Sequence, residues 1–278
     1  MSLLLSVLIP AHNESAYICS CLGALYASAP LPDGAAVEVL VLANGCSDDT
    51  ADRARALAPP PGWGLRVLER SEGGKLAALT EGDEKARGDI LVYLDADVQV
   101  EPDLLPQIAT ALASRIPAYA CGSPCISRAA DPVTRAYARF WSALPFVTEG
   151  APGFGLFAMT RAGRLRWGKW PTIISDDTFA RLQFAPEERL RLPGRYHWPM
   201  VEGFRNLVRV RRRQNIGVAE IAHLFPGLPA NDDKRVLTPG DLSRLAIRDP
   251  LGFLAYAAVS LAVRTPLYAS SERWVRGR

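Results

Sequence analysis

Four short apolar runs, each followed by a segment of helical character, constrain the fold of this chain more than any other feature. The runs are Leu3–Ile9, Val37–Leu42, Leu65–Leu68 and Asp89–Leu94. Runs of this length with few polar interruptions read as strands covered on both faces. The segments after them read as helices: Glu14–Ser28 with Asn13 as N-cap, a stretch through Leu57 capped by Ser47 or Asp48, one from Gly73-Gly74 through Ala86, and Leu104–Leu112. Pro10 is expected to stop the first strand, and Pro59-Pro60-Pro61-Gly62 to end the second helix. A β-α-β-α-β-α-β series with short connections calls for an α/β fold, with helices flanking a mostly parallel sheet.

Beyond this series the pattern becomes mixed. Tyr119–Cys125 reads as a strand and Pro132–Ser142 as a helix. Phe154–Met159 and Phe179–Leu192 carry shorter strand-like or mixed patterns, and Phe204–Ile216 reads as an arginine-rich helix or a loop and helix. Pro239–Ile247 and Pro250–Val263 read as two further helices. The second is apolar on almost every face yet too short to cross a bilayer. It can pack on the core, a membrane or another subunit, and Arg264, Arg273, Trp274, Arg276 and Arg278 around the chain end suit an anionic surface or an ordinary exposed end. The expected organisation is residues 1–115, 116–235 and a C-terminal helical extension over 236–278.

Bulk properties exclude little. A length of 278 residues fits one or two domains, and a net charge of +3 gives no global pull toward nucleic acid. The five cysteines include Cys121 and Cys125, but no second Cys/His pair completes a metal site. An odd cysteine count and the lack of a secretory signal lead us to expect a reducing, cytoplasmic setting, at the inner face of a membrane if the tail docks there.

The chemistry concentrates at a few points. The segment ILVYLDADVQ ends an apolar run in Asp95 and Asp97, separated by Ala96. Carboxylates at the C-terminal end of a strand lie where α/β sheets bind ligands. Two of them can share one hard divalent cation, which commonly also holds substrate phosphates. Gly73-Gly74-Lys75 opens a helix, where backbone amides and a lysine can meet phosphate. A second acidic pair, Asp176-Asp177, follows Ser175 and reads either as a general base with its neighbour or as a helix cap. Between the pairs, Gly153-Phe154-Gly155 allows close backbone approach beside an aromatic ring, or serves as a connection. Arg205, Arg209, Arg211, Arg212 and Arg213 form the sharpest basic cluster, suited to phosphate or to a solvated or membrane-facing surface. His197 and Trp198 read as a packed pair or as lining for an acceptor.

VLIPAHNES, ANGCSDDTAD, SEGGKLAALTEG and GDILVYLDADVQVEPD, in that order, resemble the family 2 glycosyltransferases of GT-A fold. The resemblance is clear over roughly residues 4–110 and weaker to about 217. It implies a nucleoside-diphosphate-sugar donor, a Mg²⁺ or Mn²⁺ cofactor, and an inverting displacement by an acceptor hydroxyl. Residues 1–115 would form the donor half and 116–235 the acceptor and catalytic half of one domain. Donor contacts would fall on Pro10, Ala11, Glu14, Asn44, Lys75, Asp95, Ala96 and Asp97, with Asp97 and Asp95 at the metal. Asp177 matches the family's base and Asp176 its neighbour. Gly153, Phe154, Gly155, Arg209, Arg212 and Arg213 would face the acceptor or the diphosphate. Two positions depart from the pattern. Ala43-Asn44 replaces paired aspartates, which weakens an inference of uracil, and Arg213 stands where relatives carry Trp. The acceptor is a hydroxyl compound, with a lipid-linked or hydrophobic one giving the apolar tail a purpose and a peripheral membrane contact. A nucleotidyltransferase acting on a sugar phosphate and a catalytically inactive nucleotide-sugar-binding protein are the competing readings.

Overall fold

The computed structural model describes residues 3–114, 116–266 and 268. Residues Arg273, Trp274, Arg276 and Arg278, which the sequence marks as a candidate anionic-surface anchor, lie outside the described residues. Two compact units divide the chain. The first comprises Met1–Cys125, Gly153–Thr172 and Asp176–Trp198, and the second Ile126–Pro152, Ile173–Ser175 and Pro199–Arg278.

In the first unit the chain runs through β1 (Leu4–Ala11), α1 (Ile18–Tyr26), β2 (Ala36–Asn44), α2 (Thr50–Ala56), β3 (Trp63–Arg70), α3 (Lys75–Lys85), β4 (Ile90–Leu94), β5 (Gln99–Val100), α4 (Leu104–Ala111) and β6 (Tyr119–Ile126). After α5 (Pro132–Ser142) and α6 (Pro145–Thr148), which belong to the second unit, it returns as β7 (Leu156–Thr160), α7 (Arg161–Arg164), α8 (Asp176–Leu182) and β8 (Arg189–Trp198). Among the described residues the strands form one eight-stranded sheet in the order β3-β2-β1-β4-β7-β6-β8-β5. The pairs β1–β2, β2–β3 and β1–β4 are parallel, and β4–β7, β6–β7 and β5–β8 antiparallel, so the sheet is mixed with a parallel nucleotide-type half, as expected. Leu5, Val7, Leu8 and Ile9 are wholly buried because helices cover both faces of this half.

Register decides what gathers at one edge. Ala11 pairs with Ala43, Asn44 with Arg70, and Leu8 with Tyr93, so β1, β2, β3 and β4 all end on the same side. Leu94, the last residue of β4, pairs with Leu156, the first of the antiparallel β7. The Gly153–Gly155 segment therefore enters the sheet where Asp95 leaves it, and the Asp95 amide donates to the Gly155 carbonyl at 2.9 Å.

Several boundaries differ from those the sequence predicts. β1 continues through Pro10 to Ala11, because pairing with β4 ends at Leu8 and a residue without an N–H is tolerated past the doubly paired stretch. Asn13 does not cap α1. It adopts φ 53°, and its side-chain oxygen accepts the Ser47 amide at 2.6 Å, so the helix begins four residues after Glu14, at Ile18. The mixed Phe179–Leu192 pattern resolves into the C-terminal part of α8 and the first part of β8.

The second unit is helical. α9 (Phe204–Leu224), α10 (Pro239–Arg248) and α11 (Pro250–Val263) join α5 and α6. Tyr256 stacks on Tyr137 at 5.7 Å between ring centres and lies 5.0 Å from Phe140, which also meets Phe253. A Cβ on Gly252 would stand 2.9 Å from the Ala136 carbonyl oxygen and 2.2 Å from Asp249 Oδ2, so only glycine admits this approach of α11 to α5. Among the described residues no helix is long and apolar enough to cross a membrane.

Candidate active site

β4 delivers Asp95 to the edge, and a turn immediately after it carries Ala96 and Asp97. The turn is closed by the Val98 amide donating to the Asp95 carbonyl at 3.1 Å. Ala96 is buried beneath the two half-exposed carboxylates. Gly153 and Gly155 are required here by their surroundings. Both have positive φ, 73° and 75°, and a Cβ would fall 1.8 Å from Tyr119 Oη and 2.5 Å from Trp198 Cδ1 respectively. Phe154, between them, meets Trp198 edge-on at 5.1 Å, and its carbonyl accepts the Tyr196 hydroxyl at 2.6 Å. His197 turns away from this pair toward Glu101, with Nε2 3.2 Å from Oε1.

Lys75 is the first residue of α3, and its ammonium joins the two acidic pairs. Nζ donates to Asp95 Oδ1 at 2.9 Å and lies 2.8 Å from Asp176 Oδ2. Burial alone would lower the Lys75 pKa. The Asp176 and Asp95 carboxylates outweigh that and hold it above its ordinary value. Asp176 and Asp177 open α8, and the Thr178 amide donates to Asp177 Oδ1 at 2.7 Å. The segment Ile173–Ser175 just before them belongs to the second unit. There the Ile174 amide donates to Glu220 of α9 at 2.8 Å, and a Cβ on Gly217 would meet Ser175 Oγ at 2.3 Å.

At the ends of β1 and β2, Asn44 is wholly occupied with backbone. Its Nδ2 donates to the carbonyls of Ala11 at 2.9 Å and Leu42 at 3.1 Å, while Oδ1 accepts the Gly74 amide at 2.9 Å. The Gly45 Cα at φ 58° lies so close to the next segment that a Cβ would be 2.6 Å from the Gly73 nitrogen. Pro10 and Ala11 end β1 beside this knot, and the Glu14 amide donates to Thr50 Oγ1 at 2.7 Å. Desolvation is the largest single influence on Asp48 and raises its carboxyl, but the hydrogen bonds it accepts from Thr50 and Ser15 together outweigh it and bring the carboxyl down to about 2. Asn44→Asp would remove both donors and set a charged oxygen against two buried carbonyls. We expect a loss of about 2–4 kcal/mol of stability, read by denaturant unfolding, with the Ala11 and Leu42 carbonyls losing their donor while the Gly74 amide keeps its acceptor. An unchanged midpoint would mean that this knot contributes nothing.

Among the described residues no group of three or more His, Cys, Asp or Glu side chains is placed to hold a metal ion. Asp95 and Asp97 nevertheless suit a hard cation that takes one or two carboxylates from protein and its other oxygens from phosphate and water. Asp95 Oδ2 lies outside the lysine bond. Arg209, Arg212 and Arg213 lie on α9, in the second unit. Arg212 Nη2 donates to the Ala262 carbonyl at 3.1 Å and the Thr265 carbonyl at 2.6 Å, so this arginine closes the C-terminus of α11. Sequence reasoning missed the Lys75–Asp176 contact and the Tyr196 hydroxyl, since both depend on pairings between distant segments.

A family model described as Glycosyl transferase family 2 matches residues 6–177. Over 106 residues the chain is 34% identical to the undecaprenyl-phosphate 4-deoxy-4-formamido-L-arabinose transferase of Pseudomonas aeruginosa, a match covering 38% of this chain and 31% of that relative. Over 113 residues it is 29% identical to the dolichol-phosphate mannosyltransferase of Saccharomyces cerevisiae, covering 40% of this chain and 42% of that relative. The chain thus spans less than half the length of these relatives. In three dimensions it resembles the mannosyltransferase PcManGT from Pyrobaculum calidifontis, solved with GDP-Man and Mn²⁺, with a TM-score of 0.59, 21% identity, and coverage of 95% of this chain and 76% of that one.

Proposed function

This chain belongs to glycosyl transferase family 2, and from that premise we propose that it transfers a sugar from a nucleoside-diphosphate-sugar donor to an acceptor hydroxyl with inversion. Its helix-flanked mixed sheet and C-terminal helical extension have the GT-A architecture. The observation that carries the reading is the Lys75 ammonium, which ties Asp95 at the end of β4 to Asp176 at the start of α8. Two acidic pairs with different tasks thereby meet at one sheet edge.

In this reading residues 1–115 hold the donor, 116–235 the acceptor and the base, and 236–278 form a helical extension. Asp97 and Asp95 would hold Mg²⁺ or Mn²⁺, and a cation bound there would supply charge stabilisation to the departing nucleoside diphosphate. Pro10, Ala11, Glu14 and Ala96 line the donor site, Asn44 shapes it through the backbones it binds, and Lys75 adds positive charge beside the diphosphate. Asp177 takes the proton from the acceptor hydroxyl as its oxygen attacks the anomeric carbon, and Asp176, neutralised by Lys75, fixes the helix that carries it. Toward the acceptor or diphosphate the reading places the backbone of Gly153 and Gly155, the Phe154 ring, and Arg209, Arg212 and Arg213.

A second acceptor class is favoured by the two relatives named for undecaprenyl phosphate and dolichol phosphate. A lipid-linked acceptor would be met at a membrane, on the cytoplasmic side that the free cysteines suit. The test is a screen of UDP- and GDP-sugars with short alcohols, glycans and polyprenyl phosphate, with Mn²⁺ or Mg²⁺ and with chelator. The expected result is transfer that stops on chelation and returns with Mn²⁺. Pyrophosphate release from a nucleoside triphosphate and a sugar phosphate would replace this reading with a nucleotidyltransferase. Donor binding with no transfer to any acceptor would favour the inactive binding protein.

A further inference from the structure

The last helix of the described chain has two apolar faces, and among the described residues only one is covered. Gly252, Val259 and Ala262 of α11 are buried, and Phe253 and Tyr256 pack on α5. On the other side Leu251, Leu254 and Leu261 stand 68%, 62% and 64% exposed, with exposed Ala258 between them. Spacings of three, four and three residues put these four on one stripe. Ile247 at the end of α10, 82% exposed, extends the apolar surface across the Asp249 junction. Large side chains left in water over about 15 Å of helix, the rise from Leu251 to Leu261 at 1.5 Å per residue, mark a contact surface.

Charge selects the occupant. Arg244 and Arg248 on α10 and Arg264 at the end of α11 are exposed, and no described carboxylate pairs with any of them. The acids of the same two helices are already engaged. Asp241 binds Arg235 and completes the capping box of α10 by accepting the Thr238 amide, while Asp249 binds Arg139 and caps α11 by accepting the Gly252 amide. An apolar stripe with unpaired cations and no unpaired anion matches an anionic lipid surface, where leucines enter the acyl boundary and arginines remain among headgroup phosphates. A second copy meeting the same patch about a two-fold axis would set arginines against arginines. The sequence that follows, Ala269–Arg278, carries three more arginines against one Glu272 and so adds to the positive charge of this end of the chain.

We propose that Ile247 and the Leu251–Leu254–Leu261 stripe dock this protein on an anionic membrane surface without crossing it. This deepens the proposed function by giving a lipid-linked acceptor a place to be met. The surface is made of residues separate from the catalytic ones, so the two can fail separately. The full chain is floated with vesicles of phosphatidylcholine alone or with about one third phosphatidylglycerol, at low and high salt. Wild type is expected to float with the anionic vesicles, to release as salt rises, and to stay behind with neutral ones. Leu251→Ser/Leu254→Ser/Leu261→Ser and Arg244→Glu/Arg248→Glu should each lower binding at least tenfold while melting and donor binding stay as in wild type. Should the serine variant fail to fold, the glutamate variant carries the test. Wild type that ignores anionic vesicles, or variants that float equally well, would overturn docking. So would a wild-type dimer that the serine variant turns into a monomer, because the stripe would then belong to a second copy. Flotation without sugar transfer would keep the surface and remove the enzymatic reading, and transfer without flotation would do the reverse.

Discussion

Asp177→Asn is expected to lower turnover with a hydroxyl acceptor by about 10²–10⁴-fold while donor affinity stays within a few fold. The size follows from what a general base contributes, equivalent to about 3–5 kcal/mol of activation free energy at 1.36 kcal/mol per tenfold. The substitution preserves shape and keeps an oxygen for the Thr178 amide, which donates to Asp177 Oδ1 at 2.7 Å. It leaves Asp176 in its ion pair with Lys75, so α8 stays anchored. Shape is kept, while the negative charge and the capacity to accept a proton are lost. The same variant separates the two acceptor classes, because an ionised polyprenyl phosphate brings a nucleophilic oxygen that needs no base. A loss of less than tenfold with polyprenyl phosphate, beside a large loss with alcohols, would assign the true acceptor. Equal turnover of variant and wild type with every acceptor would remove Asp177 from the chemistry. Turnover and donor affinity are to be measured separately, by initial rates and by titration calorimetry.

The parallel half of the sheet was legible because burial on both faces leaves an unbroken apolar run, and β2 and β4 contain such runs. Asp95 and Asp97 were legible for the same reason, since a carboxylate after a buried strand has only the sheet edge to occupy. The errors came from interactions at a distance. Pro10 reads locally as a stop, yet the strand passes through it once its second neighbour has ended. Asn13 has the right chemistry for a cap and spends it on Ser47. α9 extends past the expected end at Ile216 through Gly217, a residue that weakens helices but here leaves room for Ser175. β5, two residues long, is defined only by its pairing with Tyr196 and His197. Arg212 remains a phosphate candidate among neighbouring arginines, and no local signal reveals that it also donates to carbonyls at the end of α11. No local signal reveals the tie from Lys75 to Asp176 either, although each residue is a site candidate in the sequence.

Lys75→Met tests that tie directly and should cost a substantial share of the stability. The ammonium is the cation the structure sets between Asp95 and Asp176, at 2.9 and 2.8 Å. Removing it leaves two carboxylates facing each other with their compensation gone, Asp176 at only 11% side-chain exposure. Breaking a buried pair by deleting one partner costs about 3–5 kcal/mol, and the more open position of Asp95 reduces the expectation to about 2–4 kcal/mol. The sign of any pH effect follows from the raised pKa of Lys75. Its stabilisation is fully present below the ordinary lysine value of 10.5 and is lost only as pH rises through the still higher folded value. Between pH 6 and 9 the deficit of the variant should therefore be flat, about the same at each pH. The freed carboxylates also gain a reason to collect a divalent ion, so Mn²⁺ should restore more stability to Lys75→Met than it adds to wild type. Lys75→Arg should recover part of the deficit in the absence of metal by returning the positive charge. Unfolding midpoints with and without Mn²⁺ measure both effects, and a Lys75→Met protein that melts with wild type under both conditions would show that the two acidic pairs are held together by something other than this lysine.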